Sequence, residues 1–182
     1  TARRVLERHY SVSAENFVIY NEQKPMSFMG GIVSLRGGVD GIALNEDWLY
    51  YAALNGSSLF RVSLQDLRNT TIPGSQLAAR VERYSRKPLS DGLSIDDVGN
   101  VFVTDVEHRA IFIVGADREA RTLARSPRLR WPDALSFGPD GWMYVADSAL
   151  SDVVLKSREH IESAGPYKIY RFRPGTTGAP GQ

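Results

Sequence analysis

From about residue 40 onward, short apolar and aromatic runs alternate with polar turns, and within the runs side-chain character alternates with a period of two. Val101 and Val103 alternate with Phe102 and Thr104, the spacing of a strand rather than a helix. One unit recurs three times: "DGIALNEDWLYY" from Asp40, "DGLSIDDVGNVFVTD" from Asp91, and "DALSFGPDGWMYVAD" from Asp133. The starts are 51 and 42 residues apart. Several short strands per repeat at periods of 40 to 50 residues are the mark of propeller blades.

The second copy places its strands most clearly. Gly92–Asp96 leads through the turn residues Asp97–Asn100 into Val101–Asp105, and Val106–Arg109 connects to Ala110–Val114. Gly115–Asp117 then turns into a fourth strand over Ala120–Arg125. The first copy repeats this with Tyr50–Leu54 and Leu59–Leu64, then carries an insertion, Gln65–Arg80, whose "SQLAARV" predicts a short helix capped by Ser75. The third has a strand over Trp142–Asp147, an excursion through "SREHIESAGP", and a last strand in "YKIYRFR".

The blades therefore span 39–86, 87–126 and 127–173. Residues 1–38 contain "RRVLERHY" and "FVIYNE", expected as outer strands of a preceding blade and a linker, and the Gly/Pro-rich 174–182 is expected to be a disordered tail. Three blades cannot close a ring, and an open propeller leaves unpaired edges. The chain is read as part of a longer one whose other blades lie upstream, monomeric when complete; two half-rings pairing as a homodimer is the alternative.

Antiparallel strands alternate in direction, so connections fall on two faces in turn. Asp40, Asp91 and Asp133 share one face, here called the top, at the innermost strands. Asp105, Val106, Glu107 and His108 lie on it too, as do Asn55–Ser57 and Asp147–Ala149. Asp97, Asp140 and Gly141 belong to the bottom, so Pro139-Asp140-Gly141 is a hairpin turn. Carboxylates crowded at a channel mouth repel and raise one another's pKa unless something neutralises them. A hard cation on oxygen ligands is one answer; the other is that each Asp accepts backbone hydrogen bonds and pins the start of its strand.

Composition removes several classes. The chain has 182 residues, is 42% hydrophobic and carries a net charge of +1, so it can bury a core and has no bulk attraction for nucleic acid or an anionic membrane. No apolar run approaches the roughly 20 residues of a spanning helix. There is no cysteine, hence no disulfide or thiolate site. The arginines 118, 121, 125, 128 and 130 form a basic series without interleaved stacking aromatics, so nucleic-acid binding is not expected, and Arg121 and Arg125 on the outermost strand are read as discouraging edge pairing. His108 beside Glu107 is a candidate acid or base near neutral pH, against the alternative of a solvated hairpin tip. His9 and His160 read as surface residues. Ser94 and Ser136 lie inside strands without a nucleophile elbow, so serine-hydrolase chemistry is not expected. Trp48, Trp142 and Tyr144 read as packing between blades.

The succession "VDGIALNEDWLYYAALNGSSLFRV", "DGLSIDDVGNVFVTDVEHRAIFIV", "SPRLRWPDALSFGPDGWMYVADSAL" and "PYKIYRFRP" resembles the bacterial branch of the major royal jelly / yellow family, from about residue 36 onward. That resemblance implies the C-terminal half of a six-bladed, all-β propeller, a secreted or periplasmic location, and binding of small ligands such as amines, or dopachrome conversion. More distantly, the Asp-Gly repeats resemble the senescence-marker-protein / gluconolactonase propellers, which hold one divalent ion, often calcium, on Glu, two Asn and Asp. On that likeness Asp91 matches the metal-binding Asp, and Asp40 stands where the family has Asn.

The function expected is a small-molecule site at the top of the channel, with metal-assisted lactone or ester hydrolysis as the chemistry. The metal ligands expected are Asp91 and Asp40, with Ca2+ as the ion. Asp91, Glu107 and His108 are the catalytic candidates, and Asp133, Asp105 and Asp147 further residues of the mouth. The alternatives are a non-catalytic ligand-binding propeller and a protein-interaction scaffold.

Overall fold

A computed structural model describes residues 3–182. Ahead of the blades, β1 (Tyr20–Asn21) pairs with β2 (Lys24–Pro25), and β3 (Ser27–Phe28) with β4 (Val33–Ser34). The expectation of outer blade strands in this region is corrected: "RRVLERHY" contains no strand, because Leu6 and Arg8 take left-handed backbone angles that interrupt an extended run. Leu6 instead plugs its side chain into a cluster with Tyr51, Phe60, Val62 and Leu77. Residues 15–37 cross the top face as a strap.

The first blade is the antiparallel sheet β5 (Val39–Leu44), β6 (Trp48–Ala53), β7 (Ser58–Ser63) and β8 (Glu82–Arg86). Helices α1 (Leu64–Arg68) and α2 (Gly74–Ala78) fill its insertion. The helix expected there exists, but Ser75 does not cap it: α2 follows Pro73, with no side-chain cap, and it is Ser63 that caps α1 by accepting from the Gln65 N–H. The second blade is β9 (Leu93–Ile95), β10 (Val101–Asp105), β11 (Ala110–Val114) and β12 (Ala120–Arg125). The third has three strands, β13 (Pro132–Phe137), β14 (Met143–Asp147) and β15 (Lys168–Phe172), with α3 (Arg158–Ser163) in the excursion between the last two.

Blades one and two pack through Ala43, Tyr50 and Leu59 against Leu93, Val101 and Val103, and blades two and three through Phe102, Ile111 and Ile113 against Leu135, Met143 and Val145. Each fully buried Val, Leu, Ile, Met or Phe side chain among them contributes about 1.5–3 kcal/mol. The two outer faces of this three-blade body are open: Val39, Ile42 and Leu44 on β5 and Ile169 on β15 are exposed.

The expected disorder of 174–182 is also corrected. Gly178 bridges Asp96, Ala179 is buried in the cluster between the first two blades, and the Thr176 and Thr177 hydroxyls donate to Asp96 and Asp97. A Gly/Pro-rich segment reads as solvated coil, but Gly178 is needed here because a Cβ would stand 2.6 Å from the Cβ of Phe137. The tail closes the bottom of blades two and three.

Candidate functional site at the top of the inner strands

The three repeated aspartates open the three inner strands. At Asp40 and at Asp133 the pairing register shifts, so each lies at an irregularity that re-aims its side chain. In the second blade the backbone N–H groups of Asp91 and Gly92 both donate to the Thr104 hydroxyl at 3.0 Å. The glycines of the repeat set the spacing. A Cβ on Gly41 would lie 2.9 Å from the Asp91 carbonyl oxygen, and one on Gly92 would lie 2.3 Å from that of Asp133. Successive inner strands thus meet at backbone contact, and their leading carboxylates crowd together.

Asp91 is the buried member, with Asp40 exposed and Asp133 half-buried. Its Oδ2 accepts from the Trp131 indole N–H at 2.6 Å. Burial pushes the Asp91 carboxyl up to about 7; the indole pulls it down, while the carboxylates of Asp133 and Asp40 push it further up. Among the described residues, the Asp40, Asp91 and Asp133 side chains accept no backbone N–H, so they are not pinning their strands.

Asp105 and Asp147 take the role considered for the three repeated aspartates, accepting backbone N–H groups. Asp147 is buried and accepts from the Trp131 backbone N–H at 2.7 Å and from Arg130 Nε at 3.2 Å. Asp105, also buried, accepts from the His108 N–H at 3.0 Å and faces its Nδ1 at 2.9 Å. Both are buried at the ends of their strands, β10 and β14, against the loops that follow or precede them, and not at an open mouth. Glu107 accepts from the Tyr20 N–H at 2.7 Å and so ties down the strap. His108 is exposed on its Asp105 partner. Among the described residues no hydrogen bond or ion pair joins Glu107 or His108 to Asp91. Among the described residues, Ser94 is buried with its hydroxyl unpartnered, and Ser136 bonds only its neighbour's carbonyl.

Three features here were not read from the sequence. The strap roofs the top face: Ile19 and Met26 pack on Leu54, Leu89, Val106 and Trp131, and Asn21 Nδ2 donates at 2.8 Å to the carbonyls of Val106 and Arg130. Leu89 and Trp131 each stand two residues before a repeated Asp, a shared apolar position that was the available signal. Lys87 is buried, its Nζ donating to the Ala53 and Pro88 carbonyls, and burial lowers its pKa to about 7 against the pull of Glu15 and Asp105.

The charge of the mouth suits a cation, but the ligand count is incomplete. Among the described residues no three His, Cys, Asp or Glu side chains converge as a metal-holding set, and Trp131 already occupies one oxygen of Asp91. This chain's residues alone do not make a closed metal site.

The blades, the glycine-spaced inner strands and the carboxylates at their tops define part of a β-propeller. The chain belongs to the major royal jelly protein family, whose model matches residues 5–160. Among curated proteins none matches it. Among solved structures it is similar to a gluconolactonase from Xanthomonas campestris, with 19% identity, a TM-score of 0.54, and coverage of 76% of this chain and 44% of that one. A luciferin-regenerating enzyme aligns with 15% identity and a TM-score of 0.55 over 95% of this chain and 66% of its own. A calcium-binding regucalcin from Agrobacterium tumefaciens aligns with 16% identity and a TM-score of 0.52 over 78% and 47%. At these identities the likeness is one of fold, and the chain spans less than two thirds of each neighbour.

Proposed function

We propose that this chain supplies one side of a cation-binding site at the mouth of a propeller channel, with Asp91 and Asp40 as the ligating carboxylates and Asp133 adding charge. The observation that carries it is a buried Asp91 carboxyl hemmed in by two more carboxylates and given a single indole donor, an arrangement that a cation relieves. Calcium suits an all-oxygen set, whose other donors would be water, substrate and the part of the ring outside this chain. When bound, such an ion polarises a carbonyl and lowers the pKa of water, the chemistry of lactone or ester hydrolysis. Neighbours that are a gluconolactonase and a calcium-binding regucalcin support that reading in kind.

A second reading is a non-catalytic site for a small organic cation such as an amine. It is favoured by Glu107 and His108, the candidate acid–base groups, being engaged by the strap and by Asp105. Thermal melts of the full chain with and without Ca2+ or Mn2+ test the first reading: the ion raises the melting temperature, and Asp91→Ala abolishes the rise. No ion-dependent rise would sink it. Lactone hydrolysis sensitive to a chelator then separates enzyme from binder.

A further inference from the structure

We propose that the cleft between the β1–β2 hairpin and α3 is a second ligand site, separate from the channel mouth, that takes a small organic anion. The cleft has a volume of about 300 Å³, room for a small molecule. Its walls come from three places in the chain: the strap hairpin, Arg109 from the connection after β10, and the excursion that carries Asp152, Lys156 and His160.

The charges are unbalanced in one direction. Arg109 pairs with Glu22, and His160 approaches Asp152 at 3.7 Å. Lys24 and Lys156, on opposite walls, have no ion-pair partner among the described residues, and with His160 neutral the lining holds one positive charge in excess of its carboxylates. Arg109 is not saturated either: one Nη donates to the Pro127 carbonyl and another meets Glu22, while its Nε is buried without an acceptor among the described residues. Pro25, Met26 and Phe28 line the same cleft, which gives an apolar part of the ligand a surface to lie on.

Short turns shape the backbone around the cleft: the two-residue β1–β2 hairpin requires positive φ at both Glu22 and Gln23. Glu22, Gln23, Arg109 and Leu155 all adopt left-handed angles, with φ of 51°, 66°, 55° and 56°, though none is Gly or Asn. Two of them carry the Glu22–Arg109 pair, and Leu155 precedes Lys156.

Phenyl phosphate and inorganic phosphate are the probes, titrated calorimetrically into the full chain. Phenyl phosphate binds saturably and more tightly than phosphate. Lys24→Gln and Lys156→Gln each weaken it about tenfold or more, and Asp91→Asn leaves it unchanged. Both lysines are exposed, so the variants retain the fold, which a thermal melt checks. Absence of saturable binding overturns the proposal, as does an affinity that the paired lysine variant leaves untouched. Loss of binding in Asp91→Asn would assign the anion to the channel mouth and overturn the separate site.

Discussion

Replacing Asp91 by Asn should make the protein's stability profile less dependent on pH, in a defined window. The buried Asp91 carboxyl has its pKa raised from 3.8 to about 7. Below pH 4 it is protonated in folded and unfolded chains alike. Between 4 and 7 the unfolded chain releases the proton while the fold retains it, so the wild type loses stability as pH rises, and above 7 the loss levels off. At about 1.4 kcal/mol per pH unit the full loss is at most about 4 kcal/mol. Asn keeps an oxygen for the Trp131 indole and has no proton to lose. The stability of Asp91→Asn relative to wild type should therefore climb between pH 4 and 7 and stay flat above. Urea denaturation at a series of pH values, with a chelator present throughout, measures it. Asp40→Asn removes one repelling neighbour and should pull the upper end of the window down. A difference between wild type and Asp91→Asn that does not change from pH 4 to pH 8 would refute the reasoning.

Other outcomes follow from neighbouring groups. Trp131→Phe removes the indole donor, which should shift Asp91's carboxyl titration upward in carbon NMR and cost about 1–3 kcal/mol; an unmoved titration contradicts this. Lys87 has its pKa lowered from 10.5 to about 7, so the fold gains stability as pH rises from 7 toward 10.5, and Lys87→Met should erase that gain in melts at pH 7 and 10. Gly178→Ala forces a methyl onto Phe137 and should cost about 1–3 kcal/mol in chemical denaturation, whereas a neutral result would mean that the tail is not packed.

What could be read from the sequence depended on whether local pattern and tertiary partner agreed. Strands β10 and β11 run over the residues expected of them, because alternating Val, Ile and Phe face the adjacent blades on both sides, and the exposed β12 follows as the outer strand paired to β11. The aspartates of the mouth were visible because the repeat places them in register. The strap was not visible. Its apolar residues Ile19, Met26 and Phe28 follow no period, since they join one cluster with side chains from the loops of all three blades, and its tightest ties are single side chains such as Asn21 and Glu107. The tail failed for the opposite reason: its composition suggests solvated coil, and only the space beside Phe137 shows why Gly178 belongs there. Asp105 and Asp147 share the top face with Asp91 in the sequence reading, and it is the backbone N–H groups their side chains accept that set them apart from it in role.

The Asp-Gly dipeptide joins packing to charge, and that link can be tested by itself. Gly92 lets the start of β13 come against the start of β9, and Gly41 does the same for β9 against β5. This close approach brings Asp133 and Asp40 near Asp91 and helps to keep water from it. Gly92→Ala must open the gap, because the added methyl would meet backbone at 2.3 Å, where no side-chain rotation can relieve it. The cost should be about 1–3 kcal/mol. The second consequence is less obvious: with Asp133 farther away and more solvent admitted, the Asp91 pKa should fall toward its ordinary value. Gly41→Ala should lower it too, through Asp40. Carboxyl titration of both variants by carbon NMR distinguishes the cases. If stability drops while the Asp91 titration stays in place, the crowding of carboxylates is not set by the approach of the blades, and the glycines serve packing alone.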